Sequence, residues 1–144
     1  EQHHFTIKGA SEFLGKYGQT YTMPDKESEL LDFLPKDQFE FLKRKSVYHP
    51  ALGVHIGALI DESCFKMLHC FMRGKGSPHT EEVASAMNID TALSEWFNHG
   101  ETVYEERRSQ MQEVAKRASI EMYCNNLDKS YATKVKEWEE TYRR

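Results

Sequence analysis

From residue 61 onward apolar side chains recur at helical spacing, while the stretch before it is cut by prolines at 24, 35 and 50 and carries only short alternation. That switch of period confines the chain to a small mixed part followed by a helical one, an α+β class that is mostly α. Asp61 is placed to cap a helix whose stripe is Cys64, Phe65, Leu68, Cys70 and Phe71. Residues 73–78 (Arg-Gly-Lys-Gly-Ser-Pro) have loop composition. Thr80, with Glu81 and Glu82 behind it, starts another helix with Val83, Ala84 and Met87 inward. Asp90 is read as a second cap for residues 91–98, which carry Leu93, Trp96 and Phe97 and stop at His99-Gly100. Residues 101–118 give the strongest helix, with Val103, Met111, Val114, Ala115 and Ala118 as its buried side. A last amphipathic helix spans 128–142, its stripe being Tyr131, Val135 and Trp138.

In the first part, Phe5, Ala10, Phe13, Leu14 and Tyr17 predict a helix over 6–17 that Gly18 ends. An extended segment, 19–23, then runs into Pro24-Asp25. Residues 38–44 alternate and predict a strand that Tyr48-His49-Pro50 breaks, and 54–59 predict a second strand, so the pair reads as a hairpin of undetermined register. The expected organisation is 1–60 for the mixed part and 61–144 for the helical part.

Composition narrows the function. No stretch approaches the ~20 apolar residues of a membrane span, and mean hydropathy is −0.72. Nineteen basic against 23 acidic residues give a net charge of −4, which excludes a globally basic nucleic-acid coat but leaves room for a local basic stripe. Position 1 is Glu and no basic-then-apolar leader follows, which suggests a processing site or a cut through a longer chain. Cys64, Cys70 and Cys124 are an odd count without metal-type spacing and suit a reducing compartment.

Few residues suggest chemistry by themselves. His3-His4, His49, His55 and His69 lack the paired spacing of a zinc site. Cys64 and Cys70, on the apolar face of a helix, read as inert core thiols. Gly74-Lys75-Gly76 lacks the strand–loop–helix setting of a phosphate loop. Lys43-Arg44-Lys45, beside Phe39, Phe41 and Tyr48, either contacts phosphates or protects a strand end by charge. Arg107-Arg108 and Lys116-Arg117 either line a groove or form a solvated face laced with Glu101, Glu105, Glu106 and Glu113. On these grounds alone the chain fits a small intracellular helical interaction module whose basic turn binds a partner.

The order of segments adds a resemblance. Tyr17-Gly18-Gln19-Thr20-Tyr21-Thr22-Met23-Pro24-Asp25-Lys26 resembles motif D of picornavirus-like (Picornavirales) viral RNA-dependent RNA polymerases. Phe41-Leu42-Lys43-Arg44 is similar to motif E of that family, at the family's distance from motif D. Residues 92–101 (Ala-Leu-Ser-Glu-Trp-Phe-Asn-His-Gly-Glu) and then Tyr104 resemble its thumb. The resemblance implies the C-terminal part of the enzyme, from the end of the palm through a helical thumb. It implies Lys26 as general acid for the pyrophosphate leaving group. It implies Phe41, Leu42, Lys43 and Arg44 as the turn that steadies the primer strand. RNA primer–template, nucleoside triphosphates and Mg²⁺ or Mn²⁺ are the implied partners, in viral replication complexes of the host cytoplasm. The family's metal-binding aspartates and fingers have no counterpart here, and Asp25, Asp32 and Asp61 have no arrangement that replaces them. The implied metal ligands therefore lie outside this sequence, and the chain alone is expected to be inactive.

Overall fold

Thr6 begins α1 (Ile7–Gly15) by accepting the Gly9 N–H on its hydroxyl at 3.0 Å. Gly18, at φ 71, ends the turn after it, where the Gln19 N–H reaches back to the Leu14 carbonyl at 3.1 Å. The computed structural model describes residues 5–23, 26–35, 38–70 and 78–143. The expected loop at 73–78, apart from Pro78, lies outside them, as do Phe71 and Pro24-Asp25. Two compact units result, Glu1–Leu42 and Lys43–Arg144.

The first unit holds α1 and β1 (Glu40–Phe41). The Ile7 N–H donates to the Asp32 carbonyl at 2.9 Å, and Lys8 lies 3.8 Å from the Asp32 carboxylate. Among the described residues of this unit only Met23 is buried. Phe5, Phe13, Tyr17, Phe33 and Phe39 are each more than half exposed, and an apolar groove of about 470 Å³ runs beside Phe5, Ala10, Phe13 and Leu14.

The second unit opens with an antiparallel hairpin, β2 (Arg44–His49) and β3 (Val54–Leu59), whose register pairs Arg44 with Leu59 and His49 with Val54. The second strand matches the sequence reading. The first matches in part: β1 lies within the expected 38–44, but the strand that pairs with β3 begins at Arg44 and runs through Tyr48 and His49, where a break was expected. The cause is tertiary. His49 is 1% exposed, its Nε2 lying 3.2 Å from the Phe97 carbonyl and 3.1 Å from the Tyr131 hydroxyl. The polar sequence hides an inward residue, and Gly53 (φ 68) makes the turn after it.

Four α-helices and two 3₁₀ turns follow the hairpin. α2 (Asp61–Leu68) starts after Ile60, so Asp61 is its first residue and not its cap; its carboxylate accepts the Trp96 indole N–H at 2.6 Å instead. Cys70 lies beyond the end of α2 and is exposed, so only Cys64 is a core thiol, and burial pushes it up to about 11. α3 (Glu81–Trp96) is one helix capped by Thr80, with no break at Asp90. Asp90 receives the Asn125 and Asn126 backbone N–H groups at 2.8 and 2.9 Å and so anchors a distant loop. The inward residues of α3 are Ala86, Ile89, Ala92, Leu93 and Trp96, while Met87 faces out. A 3₁₀ turn, Phe97–His99, leads through Gly100 into α4 (Glu101–Ala118), whose bounds are those expected. Tyr104, Met111 and Ala115 are buried there; Val114 and Ala118 are exposed, because the helix covers a narrower stripe than the apolar pattern suggests. A second 3₁₀ turn, Glu121–Tyr123, precedes α5 (Tyr131–Tyr142), which Ser130 caps.

Ser119 closes α4 in the left-handed region at φ 55. Its N–H bonds the Lys116 carbonyl at 3.1 Å and the Ile120 N–H bonds the Ala115 carbonyl at 3.0 Å, while Ile120 and Ala115 are both buried. This is the hydrogen-bond pattern that glycine usually serves. A non-glycine residue there costs about 1–2 kcal/mol, partly offset in a glycine by unfolded-chain entropy. Ser119→Gly is expected to stabilise the helical unit by up to about 1 kcal/mol, read as a higher urea midpoint at unchanged m; a lower midpoint would contradict this account.

Candidate nucleic-acid interface

Leu42 and Lys43 lie at φ 51 and 64. Two consecutive residues in that region make the backbone of a type I′ turn, which normally selects Asn-Gly or Gly-Gly. Holding a leucine and a lysine there costs about 1–2 kcal/mol each, and such strain persists only where the surroundings over-determine it. The side chains so presented face water: Phe41 is 65% and Leu42 76% exposed, and Lys43 is exposed too. The carbonyl of Lys43 accepts the Ile60 N–H at 2.9 Å. Among the described residues neither Lys43 nor Lys45 pairs with a carboxylate.

Arg44 is arranged differently. Its Nη1 donates to Glu95 Oε2 at 2.7 Å and to the Gly57 carbonyl at 2.8 Å, and its Nη2 donates to Glu95 Oε1 at 2.6 Å. Three of its five N–H donors are therefore engaged inside the protein. The Glu95 side chain is only 19% exposed, against 42% for Arg44. Hydrogen bonding to Glu95 raises the Arg44 pKa further, against the opposing pull of desolvation. Beyond this pair, Ser46 Oγ lies 3.5 Å from His55 Nδ1 and the Tyr48 and His55 rings sit 5.4 Å apart.

Lys26, in the first unit, is exposed and also left-handed, at φ 64, with its N–H donating to the Met23 carbonyl at 2.8 Å. The three arginines of α4 are engaged, and Lys116 is exposed without a carboxylate partner among the described residues. Arg107 lies over the Phe65 ring at 4.8 Å and the Trp96 ring at 5.7 Å, with Asp61 at 3.4 Å. Arg108 pairs with Glu105 at 2.6 Å and donates to the Leu127 carbonyl at 3.1 Å; Arg117 pairs with Glu113. Burial opposes the charge of Glu105, yet the Tyr131 N–H and Arg108 together hold its carboxyl below the usual carboxylate range. Arg73 and Lys75 lie outside the described residues.

Asp32 faces Lys8, and Asp61 serves Trp96 and Arg107. Among the described residues no three His, Cys, Asp or Glu side chains gather as a metal site. Sequence reasoning singled out Phe41 to Arg44 but missed Glu95, which looks like any helix-surface glutamate, and His49, which sits in a polar run. Neither a family model nor a curated protein matches this chain.

Proposed function

We propose that the chain is the C-terminal palm-and-thumb portion of a picornavirus-like viral RNA-directed RNA polymerase, which extends a primer on viral RNA in replication complexes of the host cytoplasm. The observation that carries this reading is the strained, exposed turn at Leu42–Lys43, at the position that resembles motif E. A chain that only needed to reverse direction is served better by Asn-Gly; bulky residues held there at a cost point to the side chains themselves as the purpose. The poorly buried first unit supports the reading, since exposed aromatic surface of that extent marks an interaction face.

In this reading Lys43 holds a primer-strand phosphate as a point charge, and Phe41 and Leu42 pack against the neighbouring part of the enzyme. The helices from Asp61 onward lie along the product duplex, whose wide A-form minor groove offers shape and 2′-hydroxyls. As the primer 3′-hydroxyl gives up its proton to solvent and its oxygen bonds the α-phosphorus, the bond from that phosphorus to the bridging oxygen breaks and Lys26 donates a proton to the leaving pyrophosphate. Mg²⁺ or Mn²⁺ would supply charge stabilisation, held by carboxylates outside this sequence.

The test uses the complete polymerase polypeptide, supplied with primer–template RNA, nucleoside triphosphates and Mg²⁺. Template-directed extension is expected; its absence removes the proposal in favour of the interaction-module reading. Lys43→Ala is expected to weaken primer–template binding and to lower the slope of log K against log salt by about 0.7–0.9, one phosphate contact. An unchanged slope removes Lys43 from the phosphate.

A further inference from the structure

We infer that Glu95 is a positioning residue for the turn that grips the primer, and that Arg44 acts as its strut and not as a phosphate ligand. The inference rests on the polymerase reading for its consequence in RNA binding, and on geometry alone for the strut.

Arg44 ties three elements together. It starts β2, its Nη1 reaches the Gly57 carbonyl on β3, and both terminal nitrogens grip the two oxygens of Glu95 near the end of α3. A two-point fork fixes orientation as well as distance, which a single ion pair does not. The mostly buried Glu95 carboxylate has Arg44 as its compensating charge, and such a pair resists being opened to serve an exchanging ligand. The next residue toward the N-terminus is Lys43, whose left-handed backbone needs outside support. Two supports are visible: the Ile60 N–H on the Lys43 carbonyl, and the Arg44 fork one residue on. Lys43, without a carboxylate partner among the described residues, is left as the cation available to RNA. Glu95 thus sets where Lys43 is presented although it touches no RNA.

The experiment compares Arg44→Ala, Glu95→Gln, the double variant and the exchange Arg44→Glu with Glu95→Arg in the complete polymerase. Readouts are the rate of primer–template release across salt concentrations, the nucleotide KM at saturating RNA, and amide exchange at Ile60. Each single variant is expected to speed release about tenfold, with the two variants alike in salt slope and the nucleotide KM unchanged. The double variant should be no worse than either single one, as for residues acting as one unit. The exchange should recover part of the loss, and Ile60 exchange should rise in both single variants. If Arg44→Ala lowers the salt slope by one contact while Glu95→Gln leaves release unchanged, Arg44 is a phosphate ligand and the inference fails. Should the wild-type enzyme bind no RNA, the polymerase reading falls while the Ile60 exchange still decides the strut: no change in either variant overturns it.

Discussion

Replacing Trp96 by alanine is expected to cost the helical unit about 3–5 kcal/mol, a large share of the roughly 5–15 kcal/mol that holds a domain folded. Trp96 is fully buried, its ring edge-on to Phe65 at 5.2 Å and under the Arg107 guanidinium at 5.7 Å. Its indole N–H bonds Asp61, the first residue of α2, at 2.6 Å. Truncation therefore removes packing at the end of α3, leaves Arg107 over Phe65 alone, and strips Asp61 of a donor. Trp96 belongs to the same buried cluster as Cys64 of α2 and Tyr104 of α4, both fully buried, so a dense core surrounds the void. Urea unfolding followed by circular dichroism reads the loss; Met122→Ala, at an 81% exposed position, is the control and should move stability by less than about 0.5 kcal/mol. A loss below about 1 kcal/mol for Trp96→Ala would mean that Trp96 does not join α2 to α3.

The same residue shows why some of the fold was legible and some was not. Helix stops and starts written into local chemistry came through: His99-Gly100 before α4, Thr80 before α3, and the β3 strand at Val54–Leu59. What failed was decided by partners far away in sequence. Asp90 has the chemistry of a cap, yet it sits inside α3 because Asn125 and Asn126 need its carboxylate. The stretch Arg44–His49 has little apolar content and pairs as a strand because His49 finds Phe97 and Tyr131. The site divides in the same way. The resemblance to motif E pointed to Phe41 to Arg44, but nothing local separates Lys43, exposed and without a carboxylate partner among the described residues, from Arg44, engaged by Glu95 across fifty-one positions. Nor does Leu-Lys announce a left-handed turn, since neither residue favours one.

The larger functional effect is expected at Lys26. On the proposed polymerase reading, Lys26→Leu in the complete enzyme should slow the chemical step of nucleotide addition by about 10²–10⁴-fold, the usual contribution of a placed general acid, while primer–template binding stays as it was. The chemistry demands this asymmetry. As the primer 3′-oxygen bonds the α-phosphorus, the bridging oxygen leaves with the electron pair, and a proton from the ammonium neutralises the charge that develops there. Binding the RNA calls on no such proton. Leucine suits the position as a probe because the backbone at residue 26 is left-handed, at φ 64, and an unbranched Cβ meets the same steric cost in lysine and in leucine. The ammonium is then the main difference. Lys26→His gives the converse: an imidazolium acts as acid only while protonated, so its activity should be highest at low pH and fall as pH rises through about 6.5. Single-turnover addition across pH measures both variants. Wild-type rates for Lys26→Leu at every pH would leave the leaving group without a proton from this chain and end the general-acid assignment.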